Sequence, residues 1–96
     1  MQFRKEKRIP MRLTMRLVAT TDQGERINSQ ITLVNASKSG VCFKAAPPLP
    51  VKAGDRVAGS LHSPQMQTEF VLNVAWADDG SIGGWFETPP AKWFIR

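Results

Sequence analysis

Turn signals break this 96-residue chain into short stretches, and the longest, residues 1–20, carries Pro10, which argues against one continuous helix there. Clusters of Gly, Pro, Asn, Asp and Ser fall at 21–25, 35–40, 47–50, 52–55, 62–65, 78–80 and 88–90. Such residues punctuate chains because they supply positive φ, fix φ, or hydrogen-bond their own backbone. Between the clusters, apolar and polar residues alternate with the period of two that marks a half-buried strand. The clearest run is 67–77, where Phe70, Leu72, Val74 and Trp76 alternate with Val71, Asn73, Ala75 and Ala77. Similar runs at 11–20, 26–34, 41–45, 56–61 and 81–87 predict six strands in all. Gly83-Gly84 inside the last run predicts a bulge or a close backbone approach. Short strands with tight turns and no long helical pattern predict an all-β domain, a small six-stranded antiparallel barrel, since closure removes the exposed edges that invite aggregation. The predicted organisation is a basic arm at 1–10, a barrel at 11–88 and a short tail at 89–96. The tail has little or no room for a C-terminal helix, and Trp93 and Phe94 are placed to cap a barrel mouth or meet a partner.

Charge is concentrated at one end. Of 13 Lys and Arg residues, Arg4, Lys5, Lys7, Arg8, Arg12 and Arg16 lie in the first sixteen positions, and the net charge is +5. A basic arm on a small domain calls for an anionic partner: nucleic acid, nucleotide, acidic protein or membrane surface. The bland alternative is a solvated tail. Arg12 and Arg16 fall on the polar face of the first predicted strand and are expected to face solvent. Arg4 and Arg8, four residues apart, present two planar forks suited to phosphate and guanine edges.

Other chemistries find little support. The lone cysteine, Cys42, excludes an internal disulfide and reads as a small packing residue in a reducing compartment. His62, the lone histidine, sits in a predicted turn without companion ligands. The sequence offers no nucleophile–base pair and no phosphate-binding loop of the Gly-x-x-x-x-Gly-Lys type, so an enzyme is not expected. No apolar run reaches the length of a membrane span, and no apolar segment follows the basic residues as in a secretory signal, so the expectation is a cytoplasmic protein.

The segment Asn35-Ala36-Ser37-Lys38-Ser39-Gly40 joins two predicted strands. An Arg-x-x-x-Arg arm followed about thirty residues later by an Asp/Asn-x-Ser-x-x-Gly turn resembles the PilZ domain family, bacterial receptors for cyclic di-GMP. Here the two motifs are Arg4…Arg8 and Asn35-Ala36-Ser37…Gly40, and the resemblance runs from about Phe3 to Phe86. It implies a six-stranded barrel, no catalysis and no cofactor, with cyclic di-GMP as ligand. It implies that Arg4 and Arg8 grip phosphate and the guanine O6/N7 edge, and that Asn35 accepts from guanine N1–H or N2–H₂. Ser37 would reach a guanine amino group or phosphate, and Gly40 would permit close packing. Lys5 and Lys7 add unspecific charge. The string Val74-Ala75-Trp76-Ala77-Asp78-Asp79-Gly80 resembles a hairpin that in some PilZ domains carries a Trp at the ligand face. For Trp76, stacking on guanine and packing in the core both stay open.

The expected action is closure of the arm over the dinucleotide, followed by signalling through an unidentified protein effector. Phe3, where some relatives have Arg, favours one ligand per chain. The domain is expected to be a monomer or weak homodimer and not to bind DNA. Two alternatives remain: a small barrel binding single-stranded nucleic acid, and a PilZ-like protein-interaction module without nucleotide.

Overall fold

The computed structural model describes residues 7–91. Six strands appear in this order: β1 Ile9–Thr21, β2 Arg26–Ala36, β3 Gly40–Ala45, β4 Arg56–Ser63, β5 Met66–Asp78 and β6 Ser81–Thr88. They close into an antiparallel barrel with neighbour order β1-β2-β3-β6-β5-β4. The predicted all-β barrel is the fold observed, and the described residues contain no helix, so none long and apolar enough to cross a membrane. Phe3, Arg4, Lys5, Trp93 and Phe94 lie outside the described residues.

Each strand runs one or two residues beyond the predicted bounds at one or both ends. Pairing decides the difference, because a neighbour can hold a polar or proline residue in the ladder that local propensity would release. Pro10 is therefore a strand residue opposite Asn35. It tolerates this place near the start of β1 because little ladder is lost there. His62 likewise belongs to β4, between Arg16 and Gln67, with its Nε2 2.8 Å from Ser60 Oγ. The predicted turn begins after it.

Alternation delivers the core. Met15, Leu17 and Ala19 of β1, Ile27, Ile31 and Leu33 of β2, and Phe70, Leu72 and Val74 of β5 are buried. Fully burying one such aliphatic side chain contributes roughly 1.5–3 kcal/mol. Phe70 and Phe86 meet edge to face with centroids 6.1 Å apart. The β3–β4 connection folds Leu49 and Val51 against this core. Its turn is clamped by the buried Asp55 carboxylate, which accepts from Lys52 N (3.0 Å) and Gln23 Nε2 (3.3 Å). Only about 10 Å³ remains open inside the barrel. That is space for at most one water, so any ligand must bind outside.

At four places the pairing register shifts, and two of them shape the outer surface. In β2, Leu33 faces Phe43 and Asn35 faces Cys42, leaving Val34 as an extra residue. In β5, Val74 faces Gly84 and Trp76 faces Gly83, leaving Ala75 extra. A bulge of this kind shifts the phase of every side chain after it. Asn35 and Trp76, which strict alternation would send inward, turn outward instead.

Candidate functional site

The outward-turned residues share one row across four strands: Asn35 on β2, Cys42 on β3, Gly83 on β6 and Trp76 on β5. Three interstrand steps of ~4.8 Å place the ends of the row about 14 Å apart. Pro10 extends it onto β1, opposite Asn35.

At one end stands Arg8, just before β1. Its Nη1 donates to Asn35 Oδ1 at 2.8 Å, joining residues 27 positions apart in the chain. The arm and the turn thus meet on one side of the molecule. The bond also orients the amide. Its oxygen points at the guanidinium, leaving the Nδ2 donors to point elsewhere, toward any acceptor placed on the row. The expected use of Asn35 as a guanine acceptor has to share that oxygen with Arg8.

The turn behind this contact is internally satisfied. Ser37 N donates to Gly40 O at 2.9 Å, and Gly40 N donates to Ser37 Oγ at 3.1 Å. Ser37 is 1% exposed, so its first task is building the turn. Ser39 O accepts from Phe86 N at 2.7 Å and ties the turn to β6. Gly40 is not among the residues with positive φ. The reason for glycine is proximity: a Cβ there would sit 2.9 Å from the Gly84 carbonyl oxygen and 3.9 Å from Arg8 Nη2.

At the other end Trp76 is 44% exposed, so it is a surface aromatic and not a core one. Its indole lies across Gly83, where any added Cβ would run into the ring. This is the close approach foreshadowed by the glycine pair. A glycine beneath a cross-strand aromatic leaves the ring flat against the backbone, with its other face to solvent.

Between the two ends lies Cys42, half-buried. Burial pushes its thiol above the usual range, while Arg8 and Lys44 pull it back. Both cations therefore act on the middle of the row. Two residues that sequence reasoning did not select flank the row. Lys44 extends outward two positions along β3 from Cys42. Trp85 is 49% exposed on β6, opposite Gly40. The signal for Lys44 was its even spacing from Gly40 and Cys42 on a strand, and the signal for Trp85 its even spacing from Gly83. Arg16, by contrast, is a solvent-face strand residue bonded to Asn28 Oδ1 at 2.7 Å, and Arg12 is exposed on the same face of β1. Neither lies on the row.

The surface is thus cationic at one end and aromatic at the other, with a shallow floor of Cys42 and Gly83 between. Such a surface suits a flat, anionic, base-bearing ligand. A family model described as PilZ domain matches residues 2–90. No curated protein matches the chain. With the match covering nearly its whole length, the barrel closed as expected and Arg8 seated on Asn35, the chain belongs to the PilZ domain family of cyclic di-GMP receptors.

Proposed function

We propose that this chain binds cyclic di-GMP on the row from Arg8 to Trp76, closes its basic arm over the dinucleotide, and passes the signal to a protein partner. The observation that carries this reading is the Arg8–Asn35 hydrogen bond, with Trp76 outward on the same row. Arg8 supplies a fork for phosphate or for guanine O6 and N7. Trp76 supplies a π-face for a base. Asn35 holds the fork in place and offers its amide donors. Ser37 and Gly40 fix the turn that carries Asn35. Arg4 and Lys5, from the part of the arm outside the described residues, complete the cationic end. Ordering the arm costs backbone entropy of roughly 1–2 kcal/mol per residue, which lowers affinity. The same ordering creates the altered surface that a partner reads.

Calorimetric titration with cyclic di-GMP, with GTP as control, tests the reading. The expected result is binding in the micromolar range or tighter, about −8 kcal/mol or more favourable, at one ligand per chain. Cys42, the lone cysteine, gives a second readout from the floor of the row. An anionic ligand lying over it screens Arg8 and Lys44 and excludes water, both of which raise the thiol further. Alkylation of Cys42 should slow when cyclic di-GMP is added and not when GTP is. No heat with cyclic di-GMP and an unchanged alkylation rate would reject the proposal.

A further inference from the structure

Two residues along β3, β5 and β6, and three along the bulged β2, from the Asn35–Trp76 row runs a parallel row: Thr14, Thr32, Lys44, Ser81 and Asp78, each opposite the next. This row floors an open groove of about 820 Å³ whose lining includes Trp76. The volume lies in the range of small-ligand sites.

The groove has a polarity. Lys44 sits beside Cys42, within electrostatic reach of the thiol, as Arg8 is. Asp78 lies two strand spacings further on, about 10 Å away, where β5 ends against Ser81. The ion pair among the described residues is Arg56–Glu87, so neither Lys44 nor Asp78 is neutralised by an ionic partner there. Phosphate belongs near the cation and away from the carboxylate. A carboxylate is an acceptor only, and its two oxygens match a pair of parallel N–H donors. Guanine carries such a pair, N1–H and N2–H₂, on one edge; adenine carries an acceptor at N1 and no amino group at C2.

Resting on the cyclic di-GMP reading, we infer that this groove is a guanine subsite. One base lies against the exposed face of Trp76, Asp78 accepts from N1–H and N2–H₂, and Lys44 meets the adjoining phosphate. Asp79 has a different task. It takes positive φ (49°) beside Gly80 (86°), the geometry of a two-residue hairpin turn, and Asn serves equally well in that place.

The test is calorimetry on wild type, Asp78→Asn and Asp79→Asn, with cyclic di-GMP and cyclic di-AMP at one salt concentration. Asp78→Asn should weaken cyclic di-GMP binding about tenfold or more and narrow the preference over cyclic di-AMP. Asp79→Asn should leave binding within about threefold of wild type or slightly tighter, since Asn keeps the turn and only a negative charge at the groove edge is removed. The sign is decisive. If Asp78 makes no contact with the base, removing a negative charge beside a dianion tightens binding or leaves it unchanged, and either result overturns the subsite. A wild-type protein that binds no cyclic di-GMP overturns the receptor reading along with it. A wild type that binds, with Asp78→Asn unaffected, overturns the groove alone.

Discussion

The bulges in β2 and β5 do the same job with different chemistry. Val34 in β2 shifts the strand's phase and presents Asn35, which then holds Arg8 at 2.8 Å. Ala75 in β5 shifts the phase and presents Trp76, which then lies on Gly83. The first makes a polar contact between distant segments. Such a contact needs a partner from outside the sheet, and Arg8 comes from beyond the start of β1. The second makes an apolar contact between neighbours within the sheet, and it needs only the absence of a side chain opposite. One end of the site therefore depends on where the arm lies, whereas the other is built into the barrel wall. In the proposed closing mechanism the cationic end moves with the arm, and the aromatic end is preformed. Closure of the arm over a ligand needs that division.

The comparison breaks first at Arg8. If the adjustable end supplies most of the affinity, Arg8→Ala should weaken cyclic di-GMP binding about a hundredfold or more. Charge-assisted bonds to phosphate contribute roughly 1.5–3 kcal/mol each and a bidentate guanine contact about 1–3 kcal/mol, while each 1.4 kcal/mol is tenfold. The exposed guanidinium contributes little to the fold, so thermal stability should hardly move. Arg8→Lys should fall between, because it keeps the charge and loses the fork. Equal affinity of all three proteins by calorimetry would move the anchor elsewhere.

The two ends differ also in how much of them could be read in advance. Six strands, their order along the chain and most inward residues followed from alternation and turn chemistry. The meeting of Arg8 with Asn35 was legible through paired motifs, even though strict alternation along β2 sends Asn35 inward. The orientation of Trp76 was not legible. The string 70–77 alternates without a break, and the extra residue at Ala75 is defined only by pairing with β6, where the two glycines oppose it. Lys44 and Asp78 escaped notice for a related reason. They join one surface because β3 pairs with β6, a neighbour relation between strands far apart in sequence. Ser37 shows the limit of motif reading of another kind. Its hydroxyl was expected to face ligand, and the structure buries it as part of the turn. Spacing specifies which residue is present and does not say which way it points.

The preformed end is tested by a pair of substitutions. Trp76→Ala removes a stacking face worth roughly 1–3 kcal/mol per base and should weaken binding about tenfold, less than Arg8→Ala. Gly83→Ala leaves the indole in the protein but puts a methyl where the ring lies. The ring must swing off the strand, so affinity should drop by about the same factor. Stability should fall as well, although alanine is ordinarily the better strand residue. Near-ultraviolet circular dichroism would report the displaced indole. Full affinity in Gly83→Ala would show that the flat seat on glycine is not what prepares Trp76 for a base.

The smallest effect is expected beyond both ends. On the outer face of β4, β5 and β6, Arg56 grips Glu87 through Nη2–Oε2 at 2.7 Å and Nε–Oε1 at 3.0 Å, with Asn73 Nδ2 adding a bond to the carboxylate at 3.3 Å. The Arg56 hydrogen bonds first, and Asn73 second, hold the Glu87 carboxyl below its ordinary value, while Glu87 raises Arg56. A carboxyl depressed in the folded state stabilises the fold above its unfolded-state value, and that contribution fades as pH falls through the lower, folded one. Melting curves of wild type and Glu87→Gln should therefore differ slightly at neutral pH and converge in acid. The neutral-pH gap should be no more than about a few degrees, because the pair is solvent-exposed and screened. Affinity for cyclic di-GMP should not change in Glu87→Gln. A loss as large as that of Trp76→Ala would mean the ligand reaches around β6 toward Trp85 and Asn73, and the preformed end would then be broader than a single indole.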